Sequence, residues 1–147
     1  MPHFTRQLTN STPLIYAILG VIQARADALK AANQPVPAQQ RMNALIDTGA
    51  SCTCVDPTII KALGLVPTGS TQMLTPSTGS QPVTTEQYDA SLMIYGANQQ
   101  SPLEIPVMPV VASDLKSQGI DALIGRDVLK FCLLTYNGAI ELFTLAF

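Results

Sequence analysis

The chain has 147 residues, 47% hydrophobic and only 12% charged, which is enough for one folded core and far too apolar for a disordered segment. Eight Lys and Arg against ten Asp and Glu give a net charge of −2 with no basic run, which argues against binding a phosphate backbone. Self-association is the simplest cover for a surface so poor in charge.

Met1 to Ser11 is polar and lacks the basic-then-apolar order of a signal peptide. Residues 1–12 are expected to form a flexible tail. The longest apolar-rich stretch, Pro13 to Ile22, is too short to cross a bilayer, so no membrane segment is expected and the default setting is cytoplasmic, with reduced thiols. Eleven prolines and nine glycines punctuate short apolar segments throughout, a pattern that suits a many-stranded β domain.

Leu14 to Val21 is the first predicted strand. Ala24 to Ala32 carries good helix formers and belongs to an insertion at about residues 23–40, before the strand Met42 to Ile46. Asp56-Pro57 is an N-cap followed by proline at the first helical position, with Ile59, Ile60 and Leu63 as the buried stripe and Gly64 as the stop. Thr68 to Pro82 reads as a long hairpin with its tip near Ser77-Thr78-Gly79. Tyr88, Ala90, Leu92 and Ile94 alternate with Asp89, Ser91, Met93 and Tyr95, a period-two strand. Leu103 to Ala112 is a strand interrupted by Pro106 and Pro109, which implies an edge or a bulge. Ala122 to Ile124 is a short buried strand, Arg126 to Phe131 a short helix, and Asn137-Gly138 a two-residue hairpin turn between Leu133–Tyr136 and Ala139–Ala146.

Cys52, Cys54 and Cys132 lack metal-ligand spacing, and the single histidine, His3, sits near the N-terminus. A structural zinc site and Ser-His or Cys-His catalysis are therefore not expected, and no metal or cofactor is assigned. Cys52 and Cys54 read as small buried hydrophobes, with a redox or metal role the weaker alternative.

One segment carries chemistry: Ala44-Leu45-Ile46-Asp47-Thr48-Gly49-Ala50-Ser51. A carboxylate at the end of a buried apolar strand needs hydrogen-bond donors or a partner. Thr48 supplies a hydroxyl, and Gly49 lets the chain turn closely beneath the acid. Apolar-apolar-Asp-Thr-Gly-Ala-Ser resembles the active-site loop of aspartic proteases. Later in the chain, Ala122-Leu123-Ile124-Gly125-Arg126-Asp127 resembles the second signature of the retroviral-type members. The order of these features agrees over roughly Leu14 to Phe147, with a Gly-containing hairpin where that family keeps its flap. The chain thus resembles a retropepsin-like, single-domain aspartic protease, in a bacterial or otherwise non-viral version. The resemblance implies an all-β closed barrel with short helices spanning residues 1–147 and acting as a homodimer.

The motif count leads to the same assembly. Peptide hydrolysis in this class uses two carboxylates that share one proton, because like charges about 3 Å apart cannot both ionise. The sequence holds one Asp-Thr-Gly and no second copy, so one chain is half a site, completed most simply across a two-fold axis. The resemblance makes Asp47 catalytic and has Thr48 tie the two Asp loops together. It has Gly49 meet the substrate backbone, and Ser77, Thr78 and Gly79 close over an extended polypeptide. Ser51 stands where viral relatives often carry an Asp that pairs with the Arg corresponding to Arg126. Arg126 is left to Asp127, a carboxylate of the other subunit, or backbone carbonyls. Phe143, Leu145 and Phe147 are open to two assignments, dimer contacts or intramolecular core. The expected function is an aspartic endopeptidase cutting extended, apolar-flanked segments. The alternative is a non-catalytic dimeric peptide-binding or assembly module on the same fold.

Overall fold

A computed structural model describes residues 1–74, 79–98 and 100–147. In chain order it contains β1 (His3–Gln7), β2 (Leu14–Gly20), α1 (Gln23–Ala31), β3 (Gln40–Ile46), β4 (Cys54–Val55), α2 (Pro57–Ala62) and β5 (Pro67–Met73). There follow β6 (Val83–Ile94), β7 (Leu103–Ala112), a 3-10 turn (Lys116–Gln118), β8 (Ala122–Ile124), α3 (Arg126–Leu129), β9 (Leu133–Asn137) and β10 (Leu142–Ala146).

Six strands close on themselves in the order β2-β3-β8-β4-β7-β6, with β6 returning to β2 through Ile18↔Met93 and Leu19↔Leu92. Closure removes the free edges that an open sheet would expose. β5 is the extra strand; it runs outward with the first half of β6 as a hairpin, from Pro67↔Tyr88 to Met73↔Val83. The alternation seen in the sequence is realised on β6, where Tyr88, Ala90, Leu92 and Ile94 are buried and their neighbours are not. They pack with Ile15, Leu19, Met42, Ile46, Val110, Ile124 and Leu145 in one core.

The prolines of β7 are accommodated by a bulge. Ala90 opposes Met108 and Leu92 opposes Ile105, so Pro106 and Val107 together face one residue of β6. On the other side β7 meets β4 only at Val111 and Ala112, so the missing proline N–H groups lie where the ladder needs no donor.

α2 forms for the reasons its sequence contains. Asp56 accepts from Thr58 N at 2.9 Å, Pro57 opens the helix, and Gly64 leaves it at φ +57°. Gly64 N–H donates to Lys61 O and Leu65 N–H to Ile60 O, the paired bonds of a Schellman ending. The second oxygen of Asp56 accepts from Leu115 N (3.0 Å) and Lys116 N (2.8 Å), so one buried carboxylate joins α2 to the 3-10 turn. Burial alone would raise its pKa. The bonds from Thr58, Leu115 and Lys116 outweigh that and hold it down at about 2.

Two expectations are corrected, and one choice left open is decided. Residues 1–12 are not a flexible tail: β1 pairs with β10 from His3↔Ala146 to Gln7↔Leu142. Phe4 anchors it, meeting Phe143 edge-on at 6.2 Å and Phe147 at 6.5 Å. A single aromatic in a polar run carries no periodic signal, so the strand shows only once β10 is present to pair with it. The chain then turns through Asn10 (φ 49°) and Ser11 (φ 59°), closed by reciprocal Thr9–Thr12 bonds.

The final hairpin, secondly, does not turn on two residues. Leu142 opposes Asn137, so Gly138 to Glu141 form a longer turn with Glu141 at φ 53°. Asn137 Oδ1 accepts from Ala139 N, spending the asparagine on a side-chain turn. Thirdly, of the two assignments for Phe143, Leu145 and Phe147 the core prevails. Phe143 and Leu145 are fully buried within their own chain and Phe147 packs against that cluster. β1, β10 and β9 thus make a separate three-stranded sheet in that order.

Candidate active site

β3 delivers the acidic loop. It runs parallel to β8, pairing Ala44↔Ala122, Leu45↔Leu123 and Ile46↔Ile124, so the two sequence signatures end side by side. The register continues one step further, with Asp47 N–H donating to Ile124 O at 3.0 Å. The loop then folds back on its own acid. Gly49 N–H donates to Asp47 Oδ1 at 2.9 Å, and Ala50 N–H to Asp47 O at 3.2 Å. A Cβ built on Gly49 would stand 3.1 Å from that Oδ1, so any side chain at this position presses on the carboxylate the loop holds. Asp47 is half-buried, while Thr48, Gly49 and Ser51 are exposed and Ala50 is half-buried.

The second signature braces this loop from below. Gly125 touches its backbone so closely that a Cβ would lie 2.6 Å from Cys52 C and O and 3.1 Å from Ala50 O. Those atoms are main chain and cannot swing aside. Arg126 N–H donates to Ala50 O at 2.9 Å. Its guanidinium Nη1 donates to Thr48 O (2.8 Å) and Gly49 O (3.1 Å). Of the partners left open for Arg126, backbone carbonyls are the ones it takes. The absence of Asp at position 51 is thereby answered: the arginine grips the loop by its peptide groups. Leu123 is half-buried and Ile124 buried in the shared strand pair.

Sequence reasoning missed Thr53 and the main task of Asp127. Thr53 is fully buried, and both its N–H (2.9 Å) and its hydroxyl (2.8 Å) donate to the Asp127 carboxylate. The hydroxyl oxygen also accepts from Gly125 N at 3.2 Å, and Asp127 Oδ1 accepts from Val128 N in α3. This small network fixes the far end of the loop to the start of α3. The available signal was a polar side chain between two cysteines at the start of an apolar strand, which must find a partner once buried.

Cys54 is buried, its thiol pushed up to about 12 mainly by burial, with Cys52 adding to it. Burial likewise pushes Cys132 up to about 11. Such thiols remain protonated at neutral pH and act as small apolar groups. Among the described residues no cluster of three His, Cys, Asp or Glu side chains could hold a metal ion, and no helix is long and apolar enough to cross a membrane.

Flanking the loop is a second, smaller apolar cluster. Cys54, Leu115 and Ile120 are its buried members, and Leu14, Leu45, Cys52, Met73 and Leu123 pack on them while staying partly exposed. Leu45 precedes Asp47 by two strand positions and so faces the same side. Leu14, Leu45 and Ile120, with Thr9, Asn10, Thr12, Gln118 and Gly119, line an open hollow of about 310 Å³. Of the expected covering hairpin, Gly79 is described, exposed at φ +61°; Ser77 and Thr78 lie outside the described residues.

Set beside known proteins, residues 33–128, more than half of the chain, match the sequence model of a family described as Aspartyl protease. Among curated proteins none matches in sequence. Among solved structures, the chain is similar to a retropepsin-like aspartic protease from Rickettsia conorii, with a TM-score of 0.57 and 14% identity over 97% of this chain and 89% of that one. At that identity the likeness is one of fold. The matched stretch contains both the Asp47 loop and the Gly125-Arg126 brace beneath it, and with them this chain belongs to the aspartyl protease family, on a retropepsin-like fold.

Proposed function

We propose that the protein is an endopeptidase whose catalytic pair is one Asp47 from each of two copies, acting on extended polypeptides with apolar side chains beside the cut bond. The observation that carries the reading is the Asp47 loop itself. It presents one carboxylate, held by its own Gly49 amide and by the Arg126 brace, on a chain that contains no second motif of the kind.

With two such acids sharing a proton, the ionised one takes a proton from a water as its oxygen adds to the scissile carbonyl carbon. The protonated one donates to the carbonyl oxygen. Collapse of the tetrahedral species breaks the C–N bond: one of its hydroxyls returns a proton to the now ionised acid as the C=O re-forms, the departing amine takes the proton the other acid drew from water, and the pair again holds one shared proton. In this reading Thr48, which is exposed, bonds to the other copy's loop, and Gly49 leaves room for substrate backbone.

The apolar preference rests on Leu45, Leu123 and Met73, which pack on the buried Cys54, Leu115 and Ile120 and stay partly exposed. The β5–β6 hairpin, with Gly79 near its tip, is the element that would close over a peptide bound as an added strand. Residues 1–147 act here as one catalytic domain.

The test is Asp47→Asn, which keeps the shape and the Gly49 bond but removes the ionisable group. Cleavage of a mixed peptide library, read by mass spectrometry, should vanish while the circular dichroism spectrum and unfolding midpoint stay as in the parent. Persistent cleavage by the Asn variant would refute the assignment.

A further inference from the structure

We propose that the outer face where β1 meets β2 and β3 is a docking site for an extended acidic segment of a partner polypeptide, its carboxylates taken by Arg6 and Arg41 around the ring of Tyr16. The site lies apart from the Asp47 loop and does not depend on the catalytic reading.

The chain has four arginines, and they divide into two pairs. Arg25 Nη2 donates to Gly64 O at 3.1 Å, and Arg126 donates to the Thr48 and Gly49 carbonyls. Arg6 and Arg41 differ. Both are exposed, and among the described residues their guanidinium groups meet neither a carbonyl nor a carboxylate, Lys116–Asp121 being the one ion pair there. Instead both lie over a single ring. Arg41 Cζ stands 3.9 Å and Arg6 Cζ 5.5 Å from the centroid of Tyr16, a residue itself 49% exposed.

The ring attracts each cation through its face, but the two cations repel one another and no acid beside them offsets that. An incoming pair of carboxylates removes the repulsion and takes up the N–H donors at the rims of the two guanidinium forks. The groups are already in place to receive it. Arg6 also lies 5.0 Å over the Phe4 ring, which is buried against Phe143, and Tyr16 and Arg41 stand on the paired strands β2 and β3, with Tyr16 opposite Asn43 and Ile18 opposite Arg41. Docking therefore orders little that is not already ordered.

Charge and spacing select the occupant. Acidic side chains at alternate positions of an extended chain stand roughly 6.5–7 Å apart on one face, a span suited to two guanidinium groups that share one ring. A nucleic acid would need a wider basic field, and the chain has no basic run. The carboxylate in the same row of the barrel, Glu104, is three strands from Arg41, through Met93 and Ile18, and leaves the arginines to a ligand. Arg41 precedes Asp47 by six strand positions, about 20 Å, so a segment seated here stays clear of the acidic loop.

Fluorescence anisotropy with a labelled Glu-Ser-Glu-Ser-Glu-Ser peptide, and with its Gln-Ser-Gln-Ser-Gln-Ser counterpart, tests this at low ionic strength. The acidic peptide should bind about tenfold more tightly or better, and added salt should weaken it. Arg6→Gln and Arg41→Gln should each weaken binding about threefold, and the double variant about tenfold, with unfolding midpoints as in the parent. Lys61→Gln, which removes an exposed cation from α2, should bind like the parent. Arg41→Lys keeps the charge and loses the planar fork, so it too should weaken binding; it carries the test if Arg41→Gln lowers the unfolding midpoint. Equal binding of the two peptides overturns the proposal, as do Arg6 and Arg41 variants that bind like the parent. A Lys61 variant weakened as much as they are overturns it as well, since general charge would then be responsible. Inorganic phosphate that displaces the peptide at the peptide's own dissociation constant makes this a phosphate site and overturns the polypeptide assignment.

Discussion

Replacing Thr53 by valine keeps the shape of the side chain and deletes one hydroxyl, and the structure says what that hydroxyl does. It donates to Asp127 Oδ1 at 2.8 Å and accepts from the buried Gly125 N–H at 3.2 Å. A bond to a charged group contributes about 1.5–3 kcal/mol, and a buried amide left without an acceptor costs about 1–3 kcal/mol. Asp127 keeps its bonds from Thr53 N and Val128 N, so the sum lies toward the lower end, about 2–4 kcal/mol. For a domain of this size that is a drop in melting temperature on the order of 5–15 °C.

Urea unfolding at fixed protein concentration measures the loss. Thr53→Ser, which restores the hydroxyl and removes only a methyl, should recover most of it. Because Gly125 and Arg126 brace the Asp47 loop, kcat of the valine variant should fall even at temperatures where it is fully folded. A valine variant within about 0.5 kcal/mol of the parent, with parental kcat, would show that this network does not hold the loop.

The pH dependence of stability follows from Asp56. Its folded pKa of about 2 lies below the ordinary value of 3.8, so its stabilisation is fully present above about pH 4 and disappears as pH falls from there toward 2. Nearly two units correspond to about 2 kcal/mol. Urea midpoints followed down in pH should show that loss in the parent and not in Asp56→Asn, which should be the less stable protein at neutral pH. Gly125→Ala places a methyl 2.6 Å from main-chain atoms of Cys52; a destabilisation on the order of 3 kcal/mol or more, read by thermal unfolding, is expected together with loss of peptide cleavage. Native Cys54 and Cys132, with thiols pushed up to about 12 and about 11, should resist alkylation at pH 8 and react promptly once the chain is unfolded, as mass spectrometry of the labelled peptides will record.

Much of the barrel was legible because its signals are local. The alternation on β6, the Asp56-Pro57 cap and the Gly64 stop each need only a few neighbouring residues, and each appears as read. The Asp47 loop and Gly125-Arg126 were legible through family likeness, and the structure brings them together. What the sequence concealed depends on distant partners. β1 is a strand only because β10 lies beside it, and Thr53 joins the site only because Asp127 returns to it from far along the chain. The Asn137-Gly138 turn was misread for a related reason: Asn137 prefers to bond Ala139 N, and register with β10 decides the turn length. Ser77 and Thr78, assigned to the flap tip, fall outside the described residues.

The clasp between β1 and β10 also has a consequence for biosynthesis. His3 waits for Ala146, so the first strand leaves the ribosome without its mate and stays so while nearly all the rest is translated, roughly 7–30 s at ordinary elongation rates. The Asp47 loop is in the same position, since Gly125 and Arg126 emerge long after Asp47. Nascent chains therefore carry the Asp47 loop without its brace until Gly125 and Arg126 have been added, so that loop takes its final shape only after most of the barrel's strands have been made.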